Sequence, residues 1–239
     1  MSTTPMLAVE GLEAGYGHAA SVIKGVSFEL HAGDEAVILG ANGAGKSTLL
    51  LALAGLLPIR RGRIWFQGAE ITGTSAHERV RRGLVLALEG HRVINELTVE
   101  DNLRLALYSL GDRRSRRATS ERVEAALQRF PVLTEYRGRL AGTLSGGEQQ
   151  MLVMARLLVT DASVLLIDEP SLGLSPLIIR RVYHMLEQAR EDGKAVLVVE
   201  QSANDVLQDA TSSYVLRGTR LERLDAEMSH ADIARAYLG

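Results

Sequence analysis

Three short stretches of the chain hold residue types at spacings that can do chemistry. The first is Gly40-Ala41-Asn42-Gly43-Ala44-Gly45-Lys46-Ser47. It fits the pattern G-x-x-x-x-G-K-[ST] and lies between a short apolar run and an apolar helical pattern, the context such a loop requires. Glycine permits the tight turn and leaves successive N–H groups free to face phosphate oxygens. A helix starting near Lys46 adds roughly half a positive charge at its N-terminus. Gly40, Ala41, Asn42, Gly43, Ala44, Gly45, Lys46, Ser47 and Thr48 therefore form a candidate phosphate cradle. Lys46 would reach the β- and γ-phosphates of a nucleotide, and the Ser47 hydroxyl would bind Mg²⁺.

The second stretch, Val164-Leu165-Leu166-Ile167-Asp168-Glu169-Pro170, is an apolar strand that delivers two adjacent carboxylates. Neighbouring residues of a strand point to opposite faces, so the two acids cannot share one role. Phosphoryl transfer needs one group to orient the metal and another to polarise the attacking water. Asp168, at the strand end, suits the metal, and Glu169 suits the base.

The third stretch is Leu144-Ser145-Gly146-Gly147-Glu148-Gln149-Gln150. A serine hydroxyl and two glycine amides at the start of a helix make a second anion nest. One nucleotide does not need two such cradles in one chain.

The elements that must position these residues read as strands alternating with amphipathic helices, which favours a parallel sheet covered by helices. Residues 7–9 and 22–30 read as strands joined through Gly15-Tyr16-Gly17, and residues 36–39 as a buried strand running into the glycine-rich loop. A helix is expected over 46–56 and a strand over 64–67. Thr98-Val99-Glu100-Asp101 has the Thr-x-x-acid form of a capping box and opens a helix to about residue 110. Further helices are expected over 120–130 and 146–159, so the stretch 98–160 is an all-helical block set between strands. Residues 164–167 and 195–199 read as fully buried strands, and 214–216 with 220–223 as a terminal hairpin. The basic run Arg113-Arg114-Ser115-Arg116-Arg117 reads as a solvated loop.

The 239-residue chain is 46% hydrophobic and 23% charged, enough apolar mass for a sizeable core. A net charge of −2 gives no global electrostatic footprint for nucleic acid. Without cysteine there are no disulfides and no thiolate metal sites. The N-terminus has no signal-peptide pattern, and no apolar run reaches the ~18 residues of a membrane span, so any membrane role is expected to run through partners.

The Leu144–Gln150 heptapeptide resembles the signature motif of ATP-binding-cassette (ABC) ATPases, and the resemblance extends over essentially the whole chain. It implies an α/β, P-loop NTPase fold: a RecA-like parallel-sheet core, an N-terminal antiparallel β subdomain and an inserted helical subdomain. One ABC ATPase domain would span 1–239, with approximately 1–90 and 161–239 as core and β subdomain and 91–160 as the helical part. Ser145, Gly146, Gly147 and Glu148 join the nucleotide-binding set, Ser145 and Gly147 meeting the γ-phosphate of ATP held by a partner chain. Tyr16 matches the aromatic that stacks on adenine, and Ser171-Leu172-Gly173-Leu174-Ser175-Pro176 resembles the D-loop of the dimer seam.

Two departures narrow the resemblance. Glu89, in Leu88-Glu89-Gly90-His91-Arg92, stands where a glutamine is usual, and Gln201, in Val199-Glu200-Gln201-Ser202-Ala203-Asn204, where a histidine is usual. Glu89 still supplies a hard oxygen for Mg²⁺. Gln201 can donate to a γ-phosphate but cannot titrate. With Thr98-Val99-Glu100-Asp101-Asn102-Leu103 and the Tyr237-Leu238-Gly239 terminus, these features resemble the shorter ATPase subunit of branched-chain amino acid importers. The subgroup commonly has proline and arginine where Leu88 and His91 stand here.

That resemblance implies ATP hydrolysis coupled to transport, with ATP and Mg²⁺ as cofactors. The expected partners are a second ABC ATPase subunit (a sister chain or a copy of itself), two integral-membrane permease subunits and, indirectly, a solute-binding protein, at the cytoplasmic face of the membrane. The alternative is a non-transport ABC ATPase acting on nucleic acid or ribosomes. Those members carry long coiled-coil or zinc-binding insertions or two cassettes, and this chain has neither. Other amino acids, amides or urea are neighbouring solute classes.

Overall fold

The structure is a computed structural model that describes residues 4–17, 19–90, 93–109, 116–201 and 210–224. His91, the Arg113-Arg114-Ser115 part of the basic run, Ser202-Ala203-Asn204 and the Tyr237-Leu238-Gly239 terminus lie outside the described residues.

Among the described residues, ten strands form two sheets. In chain order they are β1 (Leu7–Ala14), β2 (Ile23–Leu30), β3 (Glu35–Leu39), β4 (Ile59–Phe66), β5 (Ala69–Glu70), β6 (Leu84–Ala87), β7 (Val164–Asp168), β8 (Ala195–Glu200), β9 (Ser212–Arg217) and β10 (Arg220–Arg223). The smaller sheet, β2-β1-β4-β5, is antiparallel, whereas the larger runs β10-β9-β3-β8-β7-β6 and is parallel from β9 to β6. The helices are α1 (Lys46–Leu53), α2 (Ala76–Arg82), α3 (Val99–Ser109), α4 (Arg116–Arg129), α5 (Pro131–Glu135), α6 (Gly146–Leu158) and α7 (Pro176–Glu191).

Every residue of β3, β7 and β8 is buried, because this sheet is covered on both faces. Alternation along the strands divides the core in two. Ala36, Ile38, Val164, Leu166, Leu197 and Val199 pack toward α1 and the antiparallel sheet. Val37, Leu39, Leu165, Ile167, Val196 and Val198 pack toward α3, α4, α6 and α7. A parallel sheet with its strand ends between two such layers opens its ligand crevice at the carboxyl ends of the strands. Those ends are Leu39, Asp168 and Glu200.

Several expectations change in extent. The strand expected at 7–9 continues to Ala14, with a register shift around Gly11 where β4 crosses very closely. A Cβ on Gly62 would lie 2.5 Å from the carbonyl oxygens of Glu10 and Gly11, so only glycine fits there. The helix expected over 46–56 ends at Leu53, because Gly55 takes a left-handed φ of 75° and Arg79 captures the last carbonyls. The Arg79 guanidinium, 1% exposed, donates to the carbonyls of Ala52, Leu53, Ile71 and Thr72. A cation at the C-terminus of α1 opposes the negative end of that helix. The short strands β5 and β6 and the helices α2, α5 and α7 lie beyond the elements expected from the sequence.

Candidate functional site

The glycine-rich stretch is the loop between β3 and α1. Gly43 and Gly45 have φ of 80° and 106°, left-handed angles that a side chain would strain, and Gly45 is the N-cap of α1. Its consequence is a turn whose amides converge at a helix N-terminus, an anion site by construction. Lys46 leaves that turn buried, 4% exposed, with Nζ donating to the carbonyls of Gly40 at 2.7 Å and Ala41 at 3.3 Å. The same ammonium lies 2.9 Å from Glu169 Oε1 in an ion pair.

Glu169 follows β7 with φ of 46°. For a residue with a side chain that conformation costs on the order of 1 kcal/mol or more, and it persists where neighbours impose it. Such strain turns the Glu169 side chain away from the strand direction and toward the loop. Asp168, the last residue of β7, stays in the sheet and is 4% exposed. Its carboxyl accepts a hydrogen bond from Ser47. Burial pushes its pKa up, reinforced by the neighbouring carboxylates of Glu169 and Glu89 and opposed by Ser47 and Lys46. Asp168 Oδ1 is buried without a hydrogen-bond partner. The Asp168 carboxylate with its unpaired oxygen, the Ser47 hydroxyl bonded to it and the neighbouring Glu89 carboxylate make a donor set that suits a small, oxygen-seeking cation such as Mg²⁺.

A cleft of about 530 Å³ opens over this loop, lined by Tyr16, Val22, Asn42, Gly43, Gly45, Lys46, Ser47, Thr48, Glu89, Glu169, Leu172 and Gln201. Residues nominated from five separate parts of the sequence thus meet in one cavity. Gly40, Ala41 and Ala44 belong to the same loop, Gly40 and Ala41 through the carbonyls that hold Lys46. Gln201 is exposed at the end of β8. Tyr16 is 52% exposed at the far rim of the cleft. Arg60 of β4 fixes the Tyr16 loop by donating to the carbonyls of Gly17 at 2.8 Å, Tyr16 at 3.3 Å and Ala19. Nothing in the sequence around Arg60 signals this contact, since it depends on how two strands pair.

Ser145, Gly146, Gly147 and Glu148 do not line this cleft. They form the exposed start of α6 as a reciprocal capping box: Ser145 N donates to Glu148 Oε2 at 2.7 Å, and Glu148 N to Ser145 Oγ at 3.4 Å. Gly147 sits against α7, where a Cβ would come 3.2 Å from Ile178 Cγ1. Gln150 of α6 donates from Nε2 to the Pro170 carbonyl at 3.2 Å, linking the signature helix to the turn that carries Glu169.

With this geometry in hand, the similarities to known proteins are specific. The ABC transporter family model matches residues 23–172. The chain is 38% identical, over 98% of its length and 100% of the relative's, to the high-affinity branched-chain amino acid transport ATP-binding protein BraG of Pseudomonas aeruginosa. It is 36% identical to the probable branched-chain amino acid transport ATP-binding protein LivF of Archaeoglobus fulgidus, covering 90% of each. A nucleotide-free ATP-binding cassette from an ABC transporter superposes with a TM-score of 0.78 at 27% identity, over 91% of this chain and 89% of that one. The family match over residues 23–172 and the full-length relative at 38% identity agree with this α/β scaffold: the chain belongs to the ABC transporter family as one of its ATP-binding, ATP-hydrolysing subunits.

Proposed function

We propose that this chain energises an ABC importer for branched-chain amino acids, as a peripheral subunit on the cytoplasmic face of the membrane. The observation that carries the catalytic part is the meeting of Lys46, Ser47, Asp168 and Glu169 at the carboxyl ends of β3 and β7, in one cleft with Glu89 and Gln201. The solute assignment rests on the names of the two relatives, BraG and LivF. Those relatives give no support to a nucleic-acid or ribosomal partner. No helix among the described residues is long and apolar enough to cross a membrane, so transport requires integral-membrane permease subunits supplied by other chains.

In the proposed mechanism ATP enters the cleft with its adenine on Tyr16 and its phosphates on the amides of residues 40–48. Lys46 gives up Glu169 for the β- and γ-phosphate oxygens. Ser47, Asp168 and Glu89 would hold Mg²⁺, which neutralises phosphate charge when bound. Once released, Glu169 accepts the proton of the attacking water, and the Gln201 amide donates to the γ-phosphate. Ser145 and Gly147 lie outside the chain's own cleft and face the γ-phosphate held by a second ATPase subunit, so two chains close over two ATP molecules. That second subunit is a sister ATPase or another copy of this one.

Uptake tests the assignment. Cells carrying this chain, its membrane subunits and a solute-binding protein should accumulate labelled leucine with wild-type Lys46 and not with Lys46→Ala. Leucine uptake that is insensitive to the substitution overturns the importer reading.

A further inference from the structure

The turn after β7 carries the reacting carboxylate, and the way its backbone is held is informative. Pro170 has no N–H, so the donors of this turn are the amides of Glu169 and Ser171. Both are captured by the end of β8. Glu169 N donates to the Val199 carbonyl at 2.9 Å, and Ser171 N to the side chain of Glu200, at Oε1, at 3.1 Å. The same Oε1 accepts the Tyr183 hydroxyl of α7 at 2.9 Å, and the Ser171 hydroxyl also donates to Glu200. Glu200 is 2% exposed, and among the described residues no cationic side chain pairs with it.

A carboxylate buried among neutral donors is an expensive choice for a residue that only fills space. Its position accounts for it. Backbone capture by Val199 and side-chain capture by Glu200 bracket Glu169, whose φ of 46° needs enforcement from both sides. The next residue along β8, Gln201, lines the nucleotide cleft. One carboxylate therefore ties together the turn bearing Glu169, the strand end bearing Gln201 and the helix α7.

We propose that Glu200 is a positioning residue for hydrolysis: its carboxylate clamps the Ser171 amide and so aims Glu169 at the water that attacks ATP. This rests on Glu169 being the base, as proposed above. The Glu200 side chain holds the turn and is not among the residues lining the cleft, so its removal should misplace the base without unmaking the phosphate cradle. Misplacement of a reacting group by about 1 Å can cost 10²-fold in rate.

Turnover against ATP concentration separates the possibilities, measured on the full chain in the assembly in which the wild type hydrolyses ATP. Glu200→Ala should lower kcat tenfold or more while the KM for ATP moves less than about threefold. Glu200→Gln keeps an acceptor oxygen for Ser171 and should recover most of the loss. If Glu200→Ala does not fold, Glu200→Met keeps the volume without an oxygen and takes its place. Wild-type kcat in the variant lacking an acceptor overturns the proposal. So does a joint loss of kcat and ATP affinity, or a Glu200→Gln enzyme no faster than the variant without an acceptor. Glu169→Gln runs beside them: if it hydrolyses like the wild type, the base assignment has failed. If it is inactive while the Glu200 variants are normal, only the positioning role has failed.

Discussion

Replacing Glu169 by glutamine should have two opposite effects. The Lys46 ammonium is 2.9 Å from Glu169 Oε1, with both side chains buried. A nucleotide must take that ammonium away from the carboxylate before its phosphates can use it. Glutamine keeps the shape and a hydrogen-bonding oxygen but removes the charge. A charge-assisted hydrogen bond contributes about 1.5–3 kcal/mol and a neutral one about 0.5–1.5 kcal/mol, so the competing contact weakens by roughly 1 kcal/mol. Nucleotide affinity should therefore rise about fivefold. Turnover should fall by 10² or more, an increase of at least about 2.7 kcal/mol in the barrier, because the proposed proton acceptor is gone. Titration calorimetry with ADP isolates the first effect, since ADP is not hydrolysed and lacks the γ-phosphate that the signature of a second subunit would grip. Steady-state phosphate release measures the second. ADP binding weakened fivefold or more by Glu169→Gln would refute the idea that the ion pair competes with the nucleotide.

Three other residues give independent expectations. Gln201 cannot titrate, so turnover between about pH 5.5 and 8.5 should have no step from this position; Gln201→His should introduce one near 6.5, and Gln201→Ala should be slower at every pH. A Gln201→Ala enzyme as fast as the wild type throughout would remove the γ-phosphate role. Arg60→Ala frees the loop that carries Tyr16 and should raise the KM for ATP about fivefold with kcat within twofold, an unchanged KM counting against the anchoring role. Glu100 is bridged by Arg104 of the same helix and by Arg137, and these contacts, Arg104 foremost, hold its pKa below the ordinary 4.5. A lowered carboxylate pKa stabilises the fold above the unfolded value and loses that contribution as pH falls through the folded value. Glu100→Gln should thus cost about 0.5–1 kcal/mol at pH 7, and the gap to the wild type in urea denaturation should close on acidification below about pH 4.5. A gap that persists or widens in acid would exclude the charge as its source.

The elements that the sequence specified well are those whose residues carry their own local rule. The loop 40–47 is defined by glycines that only a left-handed turn explains, and the all-apolar runs of β3, β7 and β8 have one plausible environment, a sheet buried on both faces. The start of α6 was legible for the same reason, since Ser145 and Glu148 cap each other three residues apart. What stayed hidden depends on tertiary placement. β6 is four apolar residues, too short for periodicity to separate from a helix turn. Arg79 looks like a surface residue of a basic helix, and its burial follows from four carbonyls contributed by two other segments. Glu200 reads as the polar end of a strand, and its hold on Ser171 spans 29 residues. Proximity of Lys46 to Glu169 follows from the chemistry, but the ion pair between them is a property of the folded chain.

ATP turnover of the Lys46→Ala chain probes the catalytic site most simply, because among the described residues Lys46 is the cation bonded to both the glycine-rich loop and the carboxylate assigned as base. The measurement is phosphate release at saturating ATP and Mg²⁺, with circular dichroism confirming that the variant is folded. Loss of detectable hydrolysis in a folded Lys46→Ala chain is the predicted result. Hydrolysis at the wild-type rate would contradict the assignment of this cleft as the site where ATP is cleaved.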